Sequence, residues 1–246
     1  VAPEVYPQWW GADTHPMPYK SPEPLPTTNL NAILLALDCF HQEGLVVLPG
    51  GEYPINATVT STTANAVFRG EHEEGTTIRM IAQGVAALRV LGRVDNLRLA
   101  GPYVRKPGLQ EFVSDAEQQV CGLDCRGGSV IGRNLSIEGF PVGIHARAAD
   151  LYFKILGRAK GLKYNISRTW LQNVRLENVD WGFVCNSAAN GLSLDGIRVR
   201  NAGVGILFPK VLNGNGKFVN ASESSIAIRR AAFDGVLQGI AAGQRL

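Results

Sequence analysis

Arginine recurs at matched places along this 246-residue chain. Arg98 in NLRLAG, Arg175 in NVRLENVDWGF and Arg198 in GIRVRNAGVGI each stand third in a stretch of similar form, and NLSIEGFPVGI and RAAFDGVLQGI put Ser136 and Ala232 there. Two residues further on come Ala100, Glu138, Glu177, Arg200 and Asp234. A line of guanidinium groups beside a line of carboxylates has two uses. Arg98, Arg175, Arg198 and Arg200, with Glu177 among them, can grip an acidic polymer, because arginine offers a rigid fork of donors to carboxylate or sulfate. The same residues can equally form a surface salt-bridge lattice that ties neighbouring segments together, each exposed pair being worth about 0–1 kcal/mol. Glu138 and Glu177 also raise glycoside hydrolysis, which needs two carboxyls roughly 5 to 9.5 Å apart. His145 and Arg147 raise a lyase, with imidazole as base and guanidinium as carboxylate clamp.

These lines exist only if the chain stacks its stretches in register. The frames begin at Asn96, Asn134, Asn173, Gly196 and Arg230, with gaps that read as one bare coil of a parallel β-helix and several coils carrying inserted loops. Strand alternation turns positions two and four inward: Leu135 and Ile137, Val174 and Leu176, Ile197 and Val199, Ala231 and Phe233. The sixth position is Gly101, Gly139, Asn178, Asn201 or Gly235, all tolerant of left-handed backbone, which predicts a sharp turn there in every coil.

Ahead of the repeats, a proline-rich arm runs to about Pro26. Leu30, Ile33, Leu34, Leu37 and Phe40 then recur at helical spacing, predicting an amphipathic cap helix over Asn29 to Gln42, with Thr28 as N-cap and Gly44 as its stop. The expected organisation is residues 1–44 as arm and cap and 45–246 as the solenoid. With 45% hydrophobic and 18% charged residues, the chain has material for a large core, and disorder is excluded. Its 24 basic residues are dispersed against 21 acidic ones, so no nucleic-acid footprint is present. No apolar run approaches the ~18–20 residues of a membrane span. Cys39, Cys121, Cys125 and Cys185 lack a second ligand pair at zinc spacing and read as buried or disulfide-linked residues, so neither metal nor cofactor is expected.

Three segments carry a family resemblance: PQWWGA (Pro7 to Ala12), VVLPGGEYPI (Val46 to Ile55) and FRGEHEEGTTIRM (Phe68 to Met80). With the downstream repeats, they resemble the pectate-lyase-like superfamily of right-handed parallel β-helices over nearly the whole chain. The resemblance implies an all-β solenoid, and a substrate groove along the strand after the Gly-Ile element, with His145, Arg147, Val184, Asn186 and Leu207 facing outward. It departs in the chemistry. The Gly-Asp-Gly and paired Asp residues before the helix are missing, as are the four polygalacturonase motifs, and RKPGLQ places Gln110 where lyases carry a second Arg. No family catalytic residue carries over.

Two functions are therefore expected. One is an extracellular carbohydrate-active protein that binds or cleaves an acidic polysaccharide, as a lyase or glycoside hydrolase if it is an enzyme. The other is a non-catalytic structural protein, such as a surface filament or virion fibre. The chain begins at Val1 rather than Met, in keeping with a mature secreted product or a trimmed piece. Its last repeat, VLQGIAAGQRL, shows no capping element, so either further sequence has been removed or a second subunit covers it; the expectation is a homo-oligomer, as a head-to-tail filament or a closed ring.

Overall fold

A computed structural model describes residues 4–14, 25–39, 43–61, 65–110, 120–126, 130–147, 169–185, 191–212, 218–220 and 226–242. Its strands stack in parallel as successive coils of a β-helix. Glu43–Leu48 pairs with Asn65–Gly70, which pairs with Gly92–Ala100, and that strand with Val130–Glu138. Thr169–Cys185, Leu192–Phe208 and Ala232–Ala242 continue the stack. A second column runs through Leu88–Arg89, Cys121–Arg126 and Val142–Arg147 into the later halves of the long strands. Lys210–Leu212 and Phe218–Asn220 form an antiparallel hairpin.

The register follows the repeat frame residue for residue. Leu97 pairs with Leu135, Leu135 with Val174 and Val174 with Ile197, and the fourth position runs from Leu99 through Ile137, Leu176 and Val199 to Phe233. The side chains from Leu97 to Val199 are buried in one continuous core, while Phe233 packs against it half-buried. On the outermost described coil Leu237 and Ile240 are exposed. Alternation with period two puts every second residue inside, and stacking on both sides removes each one from water.

Both corners of the frame are left-handed. At the sixth position Gly139, Asn178, Asn201 and Gly235 have φ of 70°, 55°, 49° and 61°. Gly101 lacks a positive φ; a Cβ there would lie 2.3 Å from the Gly139 carbonyl oxygen, so close approach and not backbone freedom demands glycine. The first position, for which no turn was expected, is left-handed as well: Asn96, Asn134, Asn173, Gly196 and Arg230 have φ between 51° and 70°. Asparagine suits both corners because its amide bonds along the stack. Asn134 Nδ2 donates to Asn96 Oδ1 (2.9 Å), Asn173 to Asn134 (2.8 Å) and Asn201 to Asn178 (2.6 Å).

The cap helix spans Leu25–Asp38, four residues earlier than the spacing predicts. Thr28 lies inside it, and Gly44 belongs to the strand Glu43–Leu48. Pro26 falls in the first turn, where the amide proton it lacks would have no helical partner, so the end of the proline-rich arm becomes helix. Ala32, Ile33, Ala36 and Leu37 cover the core. Buried Asn29 is satisfied: its amide donates to the carbonyls of Asp13 (3.0 Å) and Pro54 (3.2 Å) and accepts from the Asp13 amide (2.8 Å). Within the arm, Glu4–Val5 adds a strand to Glu43–Leu48. None of the four cysteines is in a disulfide, and burial pushes the Cys125 thiol well up. Among the described residues no helix is long and apolar enough to cross a membrane.

Candidate polyanion-binding site

The arginine line is real, and most of it is paired. Arg175 is level with Arg198 and Glu177 with Arg200 on adjacent coils. Arg98 Nη2 lies 2.5 Å from Glu138 Oε1, Arg175 Nη1 lies 2.8 Å from Glu74 Oε1, and Arg200 stands between Glu177 (3.8 Å) and Asp234 (3.9 Å). One coil earlier Arg79 meets Glu52 through Nε and Nη2 (2.5 and 2.8 Å), and this contact lowers the Glu52 carboxyl below its ordinary range. These contacts form the inter-coil lattice. Ala100, at the head of the second line, is buried. Arg198 is exposed and makes no ion pair among the described residues.

Arg198 opens instead onto a cleft of about 420 Å³ at the first corner of the frame. Arg133, Arg198 and Arg230 line it, with the amides of Asn134, Gln172 and Asn173 around Gly196, and no carboxylate is in the lining. The sharp left-handed bend makes the cleft, by bringing residues just before it, such as Arg133, toward residues just after it, such as Arg198. The Arg133 guanidinium lies over the Trp170 ring, 4.5 Å from its centroid, and its Nε is buried without a hydrogen-bond partner. Stacking on Trp170 fixes the fork at low entropic cost. Asp195 holds Arg230 by two hydrogen bonds (2.7 and 2.6 Å), and that contact lowers the Asp195 carboxyl. Arg133, Trp170 and Arg230 were not singled out from sequence. The signal that marks them is the recurring Asn or Gly at the frame's first position, which makes its two sides neighbours.

The other expected groove is closed. Arg89, Asp124, His145, Val184, Leu207 and Ala241 are level along one column of strands. Of the residues expected to face solvent, His145, Val184 and Leu207 are fully buried. They belong to a second apolar layer with Cys121, Val142, Trp181 and Val204, or lie level with it. Asp124 is also fully buried, 2.9 Å from Arg89 Nε. The Arg147 side chain and Asn186 lie outside the described residues.

Residues 101–110, which hold RKPGLQ, cross beside this layer, and the Tyr103 hydroxyl donates to Asp180 Oδ2. Burial raises the Asp180 carboxyl above its ordinary value, against the Tyr103 hydrogen bond and the charges of Arg105 and Lys106. A carboxyl whose folded pKa is raised binds its proton more tightly folded than unfolded. It therefore adds stability as pH falls through the raised value and loses that gain as pH rises. Asp180→Asn, which keeps an acceptor for Tyr103, is expected to be more stable than wild type at neutral pH, with the difference closing toward about pH 4. Urea unfolding at the two pH values measures it, and a pH-independent difference would refute the assignment.

No family model matches this sequence, and no curated protein sequence matches it. Solved structures with a similar course include ORF18 of Geobacillus virus E2 (9% identity, TM-score 0.40), matched over 95% of this chain and 60% of that one. The A-module of the mannuronan C-5 epimerase AlgE6 of Azotobacter vinelandii is another (13% identity, TM-score 0.46), matched over 96% of this chain and 68% of that one. The strand register itself establishes the parallel β-helix.

Proposed function

We propose that this protein binds an acidic polysaccharide across its stacked coils, with the cleft of Arg133, Arg198 and Arg230 as the centre of the site. The observation that carries the reading is a cleft of about 420 Å³ whose described lining is three guanidinium groups and three amides around Gly196, with Asp195 bound to Arg230. Successive coils rise by ~4.8 Å, so charged side chains at one frame position repeat along a straight line, as do the acidic groups of a uronate or sulfated polymer. Arg133 and Arg198 can each give such a group a charge-assisted contact, while the fork of Arg230 is engaged by Asp195. Arg175, Glu177 and Arg200 extend the site along the stack, and Arg98 lies at its end. The resemblance of PQWWGA, VVLPGGEYPI and FRGEHEEGTTIRM to the pectate-lyase-like superfamily supports a carbohydrate ligand, and an extracellular location is proposed with it. Cleavage with His145 as base and Arg147 as clamp is left out of the proposal, because His145 is fully buried.

The test is retention on immobilised polygalacturonate. Wild type is expected to bind, and Arg133→Gln/Arg198→Gln to bind at least about 100-fold more weakly, each lost charged hydrogen bond being worth roughly 1.5–3 kcal/mol. Arg79→Gln, which removes only the lattice contact to Glu52, is the control. Equal retention of the double variant and wild type would remove the cleft from the site.

A further inference from the structure

An acidic turn lies against the arginine line. Residues 71–75, EHEEG, connect the strands Asn65–Gly70 and Thr76–Met80, and the turn is fixed at its base. The Glu71 amide donates to the Leu48 carbonyl (3.0 Å), Glu71 Oε2 accepts from the Gly50 amide (3.0 Å), and the Thr76 amide donates to His72 O (2.9 Å). From this base Glu74 reaches Arg175, 101 residues later in sequence, at 2.8 Å. Glu73, raised by burial, is acted on by the positive charges of Arg175 and Arg198 and by its neighbour Glu74. Glu74 thus closes on Arg175, with Glu73 beside it, and Arg198 is level with Arg175 on the neighbouring coil.

Resting on the binding reading above, we infer that Arg175 and Arg198 form a two-charge anion subsite, and that the Glu73–Glu74 turn stands over it, with Glu74 holding Arg175 in place of the polymer. A carboxylate or sulfate of a bound polysaccharide takes the position of the Glu74 carboxylate. The turn is then a built-in competitor that sets a threshold, admitting ligands whose anionic groups are dense enough to displace it. The contacts favour this over a purely structural role. A structural pair needs one carboxylate for Arg175, whereas a second, half-buried carboxylate beside the first repels it and is kept at a cost.

Affinity for polygalacturonate at low salt is the test. Glu73→Gln/Glu74→Gln is expected to bind about three- to tenfold more tightly than wild type, in the range expected for releasing exposed ion pairs, with the gain shrinking as salt is raised. Removal of negative charge anywhere would also help a polyanion, so the decisive arm is a cycle: Glu74→Gln is expected to tighten binding in the wild-type background and to leave it unchanged in an Arg175→Gln background. Equal gains in both backgrounds, unchanged affinity, or weaker binding would each overturn the inference while the binding reading stands. Absence of binding by wild type and all variants would overturn both.

Discussion

Leu176→Asp is expected to abolish the cooperative fold of the central coils. Leu176 is fully buried and sits level with Ile137 on one side and Val199 on the other. Loss of the leucine removes about 1.5–3 kcal/mol of burial. The carboxylate that replaces it has no partner in an apolar stack, which adds several kcal/mol more. Together these are comparable with the ~5–15 kcal/mol by which a whole domain is stable. Coils in a solenoid contact only their neighbours, so a coil that cannot close uncovers the next. Circular dichroism should show lost β signal, and limited proteolysis should cut within Thr169–Cys185 and Leu192–Phe208. Ile137→Val, costing about 0.5–1.5 kcal/mol, should remain folded. A folded, protease-resistant Leu176→Asp protein would mean that the register is wrong.

Gly182→Ala is expected to destabilise by at least about 1–3 kcal/mol, the range for forcing extra volume into a packed interior. Its φ is ordinary, so the reason is space. A Cβ on Gly182 would stand 2.4 Å from the carbonyl oxygen of Gly205 and 3.1 Å from Val199 Cγ1. The obstruction is backbone, and it cannot yield one coil at a time. A Cβ on Gly143 would lie 2.6 Å from the Gly182 carbonyl oxygen, and one on Gly205 2.6 Å from that of Gly239. Gly143, Gly182 and Gly205, each before Ile or Phe in its repeat, therefore form a column along which coils approach too closely for a side chain. Gly50→Ala, whose Cβ would meet nothing nearer than 3.7 Å, should be close to neutral. Urea midpoints of the two variants measure the contrast, and equal midpoints would contradict the column.

Much of this architecture was legible in the spacing. Period-two alternation named Leu135, Ile137, Val174, Leu176, Ile197 and Val199 as core, and the repeat frame forced the register because a slip by one residue would turn every one of them outward. What spacing supplies is direction, and it is silent on what lies beyond. His145 does point away from the central core, yet it is buried in a second layer. The arginines stand where the frame put them, but the partner of Arg175 is Glu74, which no periodicity within the repeats could connect to it. The helix began early because proline, excluded from a helix interior, is welcome in a first turn. Arg133 escaped notice because it precedes the frame, and only the left-handed bend at Asn134, with φ of 51°, carries it to the cleft.

The central claim is that a set of arginines on stacked coils recognises a polymer by its charge. It is tested most directly by calorimetric titration of the wild-type protein with polygalacturonate and with neutral dextran over a series of salt concentrations. The expected result is binding to polygalacturonate alone, weakening steeply as the Debye length falls from about 10 Å at 0.1 M to about 3 Å at 1 M salt. Equal binding of dextran, or an affinity for polygalacturonate that does not change with salt, would contradict it.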